Sequence, residues 1–252
     1  MAGETERVVA ETFVAPSRQV AQKHANELFR LGEIRARLGE HAEAERIFEQ
    51  AATAFLTLGS PLNREWAAMA RFRQSTVAAD EGRFADALAL IERLVKEFGG
   101  FPKFEQLPHP RYIGVDLWML LLEQTEDYER LYVVAGTSLE LLNPAGPADE
   151  RIVIAKAVAR RGRAARALGR NEEAAQLFEQ AIALYKPEDP ALVGKELINA
   201  TATLTELRTE QGLVSGSVTE SLTAFKQMVG TTATTVPKMA ASRWFAARRK
   251  QQ

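Results

Sequence analysis

The sequence of 252 residues contains no cysteine. A disulfide framework, a thiolate nucleophile and a cysteine-ligated zinc site are therefore excluded. Histidine is scarce as well, and the three residues His24, His41 and His109 lie too far apart to place two metal ligands on one face of a helix. We predict that the chain binds no metal ion and no cofactor.

Sequence motifs of catalysis are missing too. The chain has neither the glycine-rich loops that cradle nucleotide phosphates nor the Gly-x-Ser-x-Gly turn that exposes a nucleophilic serine. Its many glutamates have the spacing of side chains that solvate exposed helix faces and form i,i+4 pairs. These absences predict a protein that is not an enzyme, since an enzyme would need a cluster of titratable groups in a closed pocket.

Long apolar segments and a strong net charge are also lacking. The most apolar run, Leu117 to Leu122, is far shorter than the roughly 20 residues of a transmembrane helix. The N-terminus carries acids where a secretory signal needs bases, so we expect a cytoplasmic protein. The formal net charge is −1, but residues 1–230 carry 27 bases and 33 acids, whereas residues 231–252 carry five bases and no acid. Only this tail has the composition of an electrostatic binder.

An internal repeat dominates the rest of the sequence. Residues 31–51 align without a gap with residues 161–181, and a further copy surrounds Gly82. Five units start near residues 25, 68, 112, 155 and 198, at intervals of 43 or 44 residues. We therefore divide the chain into an N-terminal lead (1–16), a repeat domain (17–230) and a C-terminal tail (231–252).

Each unit has the pattern of a helical hairpin. Apolar residues recur at helical spacing, and prolines cluster in the last quarter of each unit, where they would separate one hairpin from the next. A glycine suited to a left-handed turn lies between the two helices of four units, at Gly39, Gly82, Gly169 and Gly212. Each hairpin leaves an apolar side that only the next hairpin can cover. We predict an all-α, right-handed solenoid of about five antiparallel helix-turn-helix repeats.

These residues resemble the tetratricopeptide repeat family. The family's signature positions are occupied in unit one by Leu28, Leu31, Gly32, Gly39, Ala44, Phe48 and Ala51, and in unit four by Gly162, Gly169, Ala174, Phe178 and Ala181. The period of 43 residues is longer than usual and is similar to the stretched repeats of kinesin light chains and bacterial signalling proteins. Units three and five match weakly, and Arg161 stands where the family usually packs a leucine.

The resemblance implies a scaffold or adaptor that binds a protein or peptide partner in a concave groove lined by the first helix of each unit. The family often holds a ligand carboxylate with Lys, Arg and Asn at such positions. The matching residues are Asn26, Arg30, Arg73, Lys156, Arg160, Arg163 and Asn199. Because arginine can bind a carboxylate or phosphate bidentately, we expect an acidic or phosphorylated peptide. A solvated basic helix face is the alternative interpretation of unit four.

Two further segments stay open to more than one interpretation. The long joint at residues 99–110 contains Phe101 and Phe104, which either cover the end of a short second helix or belong to a functional loop. The tail contains Arg243, Trp244, Phe245 and Arg248. Three interpretations of it are open: a helix that caps the last repeat, a basic hook for nucleic acid or an acidic partner, and a frayed terminus. With a basic hook, the alternative function is a regulatory or sensor module of a transcription or signalling system, whose tail contacts nucleic acid or an acidic partner. Neither the ligand nor the oligomeric state follows from the sequence.

Overall fold

The computed structural model describes residues 17–101 and 111–212, and within these ranges the chain forms nine α-helices and no β-strand. The helices are α1 (Arg18–Arg37), α2 (His41–Leu58), α3 (Pro61–Asp80), α4 (Phe84–Phe98), α5 (Arg111–Gln124), α6 (Tyr128–Leu141), α7 (Ala148–Ala167), α8 (Asn171–Tyr185) and α9 (Pro190–Glu210). The predicted all-α solenoid is confirmed. None of these helices combines the length and the apolar character that crossing a bilayer requires.

The helices pair in chain order. Units one to four are the hairpins α1–α2, α3–α4, α5–α6 and α7–α8, and α9 is the first helix of unit five; the residues assigned to that unit's second helix lie outside the described ranges. The second helix of each of units one to four packs against the first helix of the next unit, and α5 also contacts α7 directly. Four of the first helices, α1, α3, α7 and α9, begin about two turns before the unit starts predicted from the repeat spacing. Ser60 caps α3 and Pro61 occupies its first turn, because proline fits where no helical N–H bond is needed.

The turns inside the hairpins share one hydrogen-bond pattern. The backbone N–H of Glu40 donates to the carbonyl of Arg35 at 3.0 Å, and Arg170 donates in the same way to Ala165 at 2.8 Å. This bond closes a helix end only if the residue before the donor is left-handed, and Gly39 and Gly169 have φ values of 77° and 75°. Glycine adopts this conformation at little cost, so the predicted turn positions are confirmed.

Unit three keeps the same turn without a glycine. Asp127 N–H donates to the carbonyl of Leu122 at 3.0 Å, and the left-handed position is occupied by Glu126 with a φ of 57°. The Asp127 side chain compensates by accepting the backbone N–H of Arg130 at the start of α6. This replacement explains why the repeat signal is weak in unit three although its hairpin is formed.

Glycines in the first helices of units one and four allow a phenylalanine of the second helix to pack directly on the backbone. A Cβ atom at Gly32 would lie 2.8 Å from Cε1 of Phe48, and one at Gly162 would lie 3.3 Å from Cε2 of Phe178. Both phenyl rings are fully buried. The small residue and the large ring therefore set the close approach of the two helices.

The core runs as a row of apolar clusters between neighbouring units. Phe101, at the end of the first described range, is buried against Gly114 and stacks on Trp118 with ring centroids 6.5 Å apart. Of its two interpretations, this burial against α5 favours a structural, covering role. Phe104 lies outside the described residues. The atypical Arg161 is paired: its guanidinium lies 4.4 Å from the ring centroid of Tyr132 and donates to the tyrosine hydroxyl at 2.8 Å.

Candidate functional site

Charged side chains on the first helices connect unit one to unit two, unit three to unit four, and unit four to unit five. We call this set the inter-repeat charge ladder. Its members are Glu33, Arg73, Asp116, Glu123, Lys156, Arg160, Arg163, Arg166, Glu206 and Glu210. The sign of the charge alternates between units, with acids on α1, α5 and α9 and bases on α3 and α7. Each α7 base of the ladder therefore faces an acid of a neighbouring unit.

The central part of the ladder joins α7 to α5. Arg160 is 6% exposed, and its guanidinium pairs with Asp116 and also with Glu123, whose Oε2 lies 3.2 Å from Nε. Arg163 pairs with the same Glu123, and Lys156 Nζ lies 3.7 Å from Asp116 Oδ2. Three cations thus share two carboxylates, and burial strengthens these charge-assisted bonds because little water competes for them.

The ladder continues on either side of this centre. Arg166 donates to Glu206 at 2.9 Å and to Glu210 at 3.0 Å, which ties α7 to α9. Arg73 on α3 pairs with Glu33 on α1. The basic face predicted for unit four is present, but acids of units three and five neutralise it.

The residues predicted to hold a peptide carboxylate do not converge on one point. Lys156, Arg160 and Arg163 lie together on α7, whereas Asn26 and Arg30 are exposed on α1. The side-chain oxygen of Asn26 accepts a hydrogen bond from Gln22 at 3.3 Å. Asn199, half-buried on α9, accepts the Thr203 hydroxyl at its backbone carbonyl. A carboxylate clamp over the full set is thus spread over several units.

The ladder shifts the acidity of its carboxyl groups. Burial by itself would raise the pKa of Asp116, but the charges of Arg160 and Lys156 outweigh it and lower the pKa below the ordinary 3.8. Burial also opposes the ionisation of Glu123, but the charges and hydrogen bonds of Arg163 and Arg160 hold its pKa below the ordinary 4.5. Both groups are therefore ionised at neutral pH.

We expect acid to destabilise the fold through these groups. A carboxyl group whose pKa is lower in the folded than in the unfolded chain stabilises the fold above the unfolded value and loses that contribution as the pH falls through the folded value. The free energy of unfolding should therefore decline below about pH 4.5, measured by urea titration at several pH values. A Glu123→Gln variant should show a smaller decline over the same range, and parallel declines of the two proteins would contradict this assignment.

A largely apolar groove lies beside the ladder, between the first helices of units two, three and four. It encloses about 380 Å³. We define the groove by its lining residues, which are Phe72, Thr76, Ala79, Asp80, Phe84, Tyr112, Ile113, Asp116, Leu117, Leu120, Leu121, Asp149, Ile152, Val153, Lys156 and Leu192. Apolar side chains form its floor, and Leu192 of α9 stands at its rim with 55% of its surface exposed. A surface of this kind suits an extended or helical peptide with bulky apolar side chains.

Much of this groove was not predicted from the sequence. The predicted site residues do not include Ile113, Leu117, Ile152 or Leu192, because the resemblance implies a site made of Lys, Arg and Asn side chains. One signal was available: α5 is apolar on two sides, with Met119 fully buried in the core and Leu117 only half-buried toward the groove. A helix whose second apolar side stays partly exposed to solvent indicates a surface for a partner.

The tail residues Arg243, Trp244, Phe245 and Arg248 lie outside the described residues. Within residues 17–101 and 111–212, no group of three or more His, Asp or Glu side chains is arranged to hold a metal ion.

The fold and the groove define a class, the all-α helical repeat proteins. The tetratricopeptide repeat model matches residues 27–59 and 160–191, the segments of units one and four that carry the glycine and phenylalanine contacts. The predicted resemblance to tetratricopeptide repeat proteins is therefore confirmed. No curated protein matches the sequence significantly.

Solved structures of repeat proteins share this architecture. The apo form of RapI is 16% identical, with a TM-score of 0.59 over 83% of this chain and 71% of that chain. BtubC (BKLC) from P. vanneervenii is 14% identical, with a TM-score of 0.57 over 85% of this chain and 90% of that chain. MamA from Desulfovibrio magneticus RS-1 is 14% identical, with a TM-score of 0.54 over 84% and 97%. At this level of identity the similarity concerns the fold.

Proposed function

We propose that this chain is a non-catalytic protein-interaction module that captures a peptide segment of a partner in the groove. The observation that carries the proposal is an apolar floor across three successive first helices that is open to solvent. A repeat solenoid supplies such a surface without rearranging, because each unit holds its neighbour in place. The free energy of binding would come from burial of apolar side chains of the ligand.

The charge ladder bears on the choice of ligand. An acidic or phosphorylated peptide that used Arg160 and Arg163 would have to replace Asp116 and Glu123 in pairs that are already formed and partly buried. Such an exchange gains little, because one carboxylate replaces another. We therefore propose that apolar side chains anchor the ligand, and we keep the acidic peptide as the competing hypothesis.

Selection from a displayed library of random 15-residue peptides tests the proposal on the full chain. We expect enriched peptides with bulky apolar side chains, whose affinity, measured by fluorescence anisotropy, falls about tenfold or more when Leu117→Ser removes part of the groove floor. The matched control is Val133→Ser on α6, a residue that is 60% exposed and does not line the groove. This control should leave the affinity unchanged.

The same selection separates the two ligand hypotheses. Peptides rich in acids whose binding is lost in an Arg163→Glu variant and kept in Leu117→Ser would show that the basic residues hold the ligand. Equal losses in Leu117→Ser and Val133→Ser, or no enrichment above the unselected library, would contradict the groove as the binding site.

A further inference from the structure

The rim of the groove is acidic. Asp80, Asp116 and Asp149 line it, and among the described lining residues the one base is Lys156, which is paired with Asp116. Asp149 accepts a hydrogen bond from the Tyr112 hydroxyl at 3.4 Å. Asp80 ends α3 and Asp149 lies in the first turn of α7, so both are exposed at the edges of the apolar floor. An occupant that matches this surface has bulky apolar side chains flanked by positive charges.

The C-terminal tail of the same chain has this composition. Residues 236–250 contain Trp244 and Phe245 between Arg243 and Arg248, with five bases and no acid in the whole tail. The rest of the chain carries a net charge of −6, from 27 bases and 33 acids, so long-range attraction also favours association of the tail with the repeat domain.

The tail is long enough to reach the groove. The helix α9 ends at Glu210, and Leu192, near its start, stands at the groove rim, so the chain must return along about 30 Å of helix. Residues 213–235 separate the end of the described chain from the tail segment. This stretch spans up to about 75 Å when extended and about 40 Å with residues 213–230 as the second helix of unit five, and both lengths cover the distance. A linker of this length holds the segment at a high effective concentration near the groove.

We propose that residues 236–250 dock into the groove of their own chain, with Trp244 and Phe245 on the apolar floor and Arg243 and Arg248 toward Asp80 and Asp149. A peptide partner must then displace the tail, so docking of the tail would lower the apparent affinity of the groove for that peptide. The inference uses the groove of the proposed function but not its external ligand. Each therefore has a separate test, and one can fail while the other holds.

The absence of natural cysteine makes disulfide trapping in the full chain a direct test. A chain with Leu192→Cys and Ala246→Cys places one thiol at the groove rim and one beside the tail aromatics. Its control combines Ala246→Cys with Val133→Cys, a position of similar exposure (60% against 55%) that does not line the groove. Under mild oxidation we expect the groove pair to form an intramolecular disulfide about tenfold faster than the control pair.

Variants of the groove pair test which contacts are responsible. Adding Asp80→Asn with Asp149→Asn, or Trp244→Ser with Phe245→Ser, should bring its rate down toward that of the control. Equal rates in the two cysteine pairs would overturn the proposal, since a freely diffusing tail reaches both sites. Disulfide-linked dimers in place of monomers would overturn it too, in favour of docking between copies. Equal rates together with salt-dependent DNA binding lost on removal of residues 231–252 would favour the nucleic-acid hook.

Discussion

Replacement of Asp116 by asparagine together with Glu123 by glutamine is expected to lower the free energy of unfolding by about 4 kcal/mol. Arg160 is 6% exposed and pairs with both carboxylates. The two substitutions keep the shape of the side chains but leave Arg160 buried without a counter-ion, close to Lys156 and Arg163. Urea titration followed by far-ultraviolet circular dichroism measures the loss.

Two controls separate the buried charge from a general loss of ion pairs. Glu27→Gln breaks the pair with Lys23, whose side chains are 59% and 79% exposed, and should cost less than about 0.5 kcal/mol. Adding Arg160→Met to the double variant removes the unpaired cation and should restore most of the stability. A double variant within about 1 kcal/mol of the unmodified chain would contradict the importance of the ladder.

Phe178→Ala is expected to lower the free energy of unfolding by about 4 kcal/mol. The ring is fully buried and packs on Gly162, where the α7 and α8 backbones approach each other closely. Neither backbone can move in to fill the space, because Gly162 already lies in the contact and α8 is held by the units on both sides. The measurement is again the urea dependence of the helical signal.

The matched variants use the same helix. Phe178→Leu keeps most of the apolar volume and should cost no more than about 1.5 kcal/mol. Leu184→Ala removes a side chain of α8 that is 39% exposed, so it should cost much less than Phe178→Ala. A loss from Phe178→Ala that is no larger than the loss from Leu184→Ala would contradict the role assigned to the glycine–phenylalanine contact.

Much of the fold could be predicted because its signals are local. Gly39 and Gly169 mark the turns since the left-handed conformation at those points favours glycine, and apolar residues at helical spacing mark the buried faces. Unit three was predicted only weakly, because Glu126 occupies the turn position and Asp127 supplies the cap in a different way. Local deviations of this kind change the sequence pattern without changing the hairpin.

The candidate site was less predictable. The sequence identified Arg160 and Arg163 as side chains of the concave wall, but their partners Asp116 and Glu123 lie 37 to 44 residues earlier in the chain. No local sequence pattern predicts which carboxylate of one unit pairs with which guanidinium of the next unit. The same holds for the groove, whose apolar residues come from α3, α4, α5, α7 and α9 and meet only when successive repeats are stacked.

The sequence by itself therefore determined the period, the helical hairpins and the absence of cysteine chemistry, because each depends on residues close together in the chain or on composition alone. Only the tertiary structure decided that the four α7 bases of the charge ladder are neutralised and that an apolar surface with an acidic rim lies beside them. The physical reason is that ion pairing and groove shape depend on the superposition of one repeat on the next, so charges that look free within one unit are balanced by its neighbours.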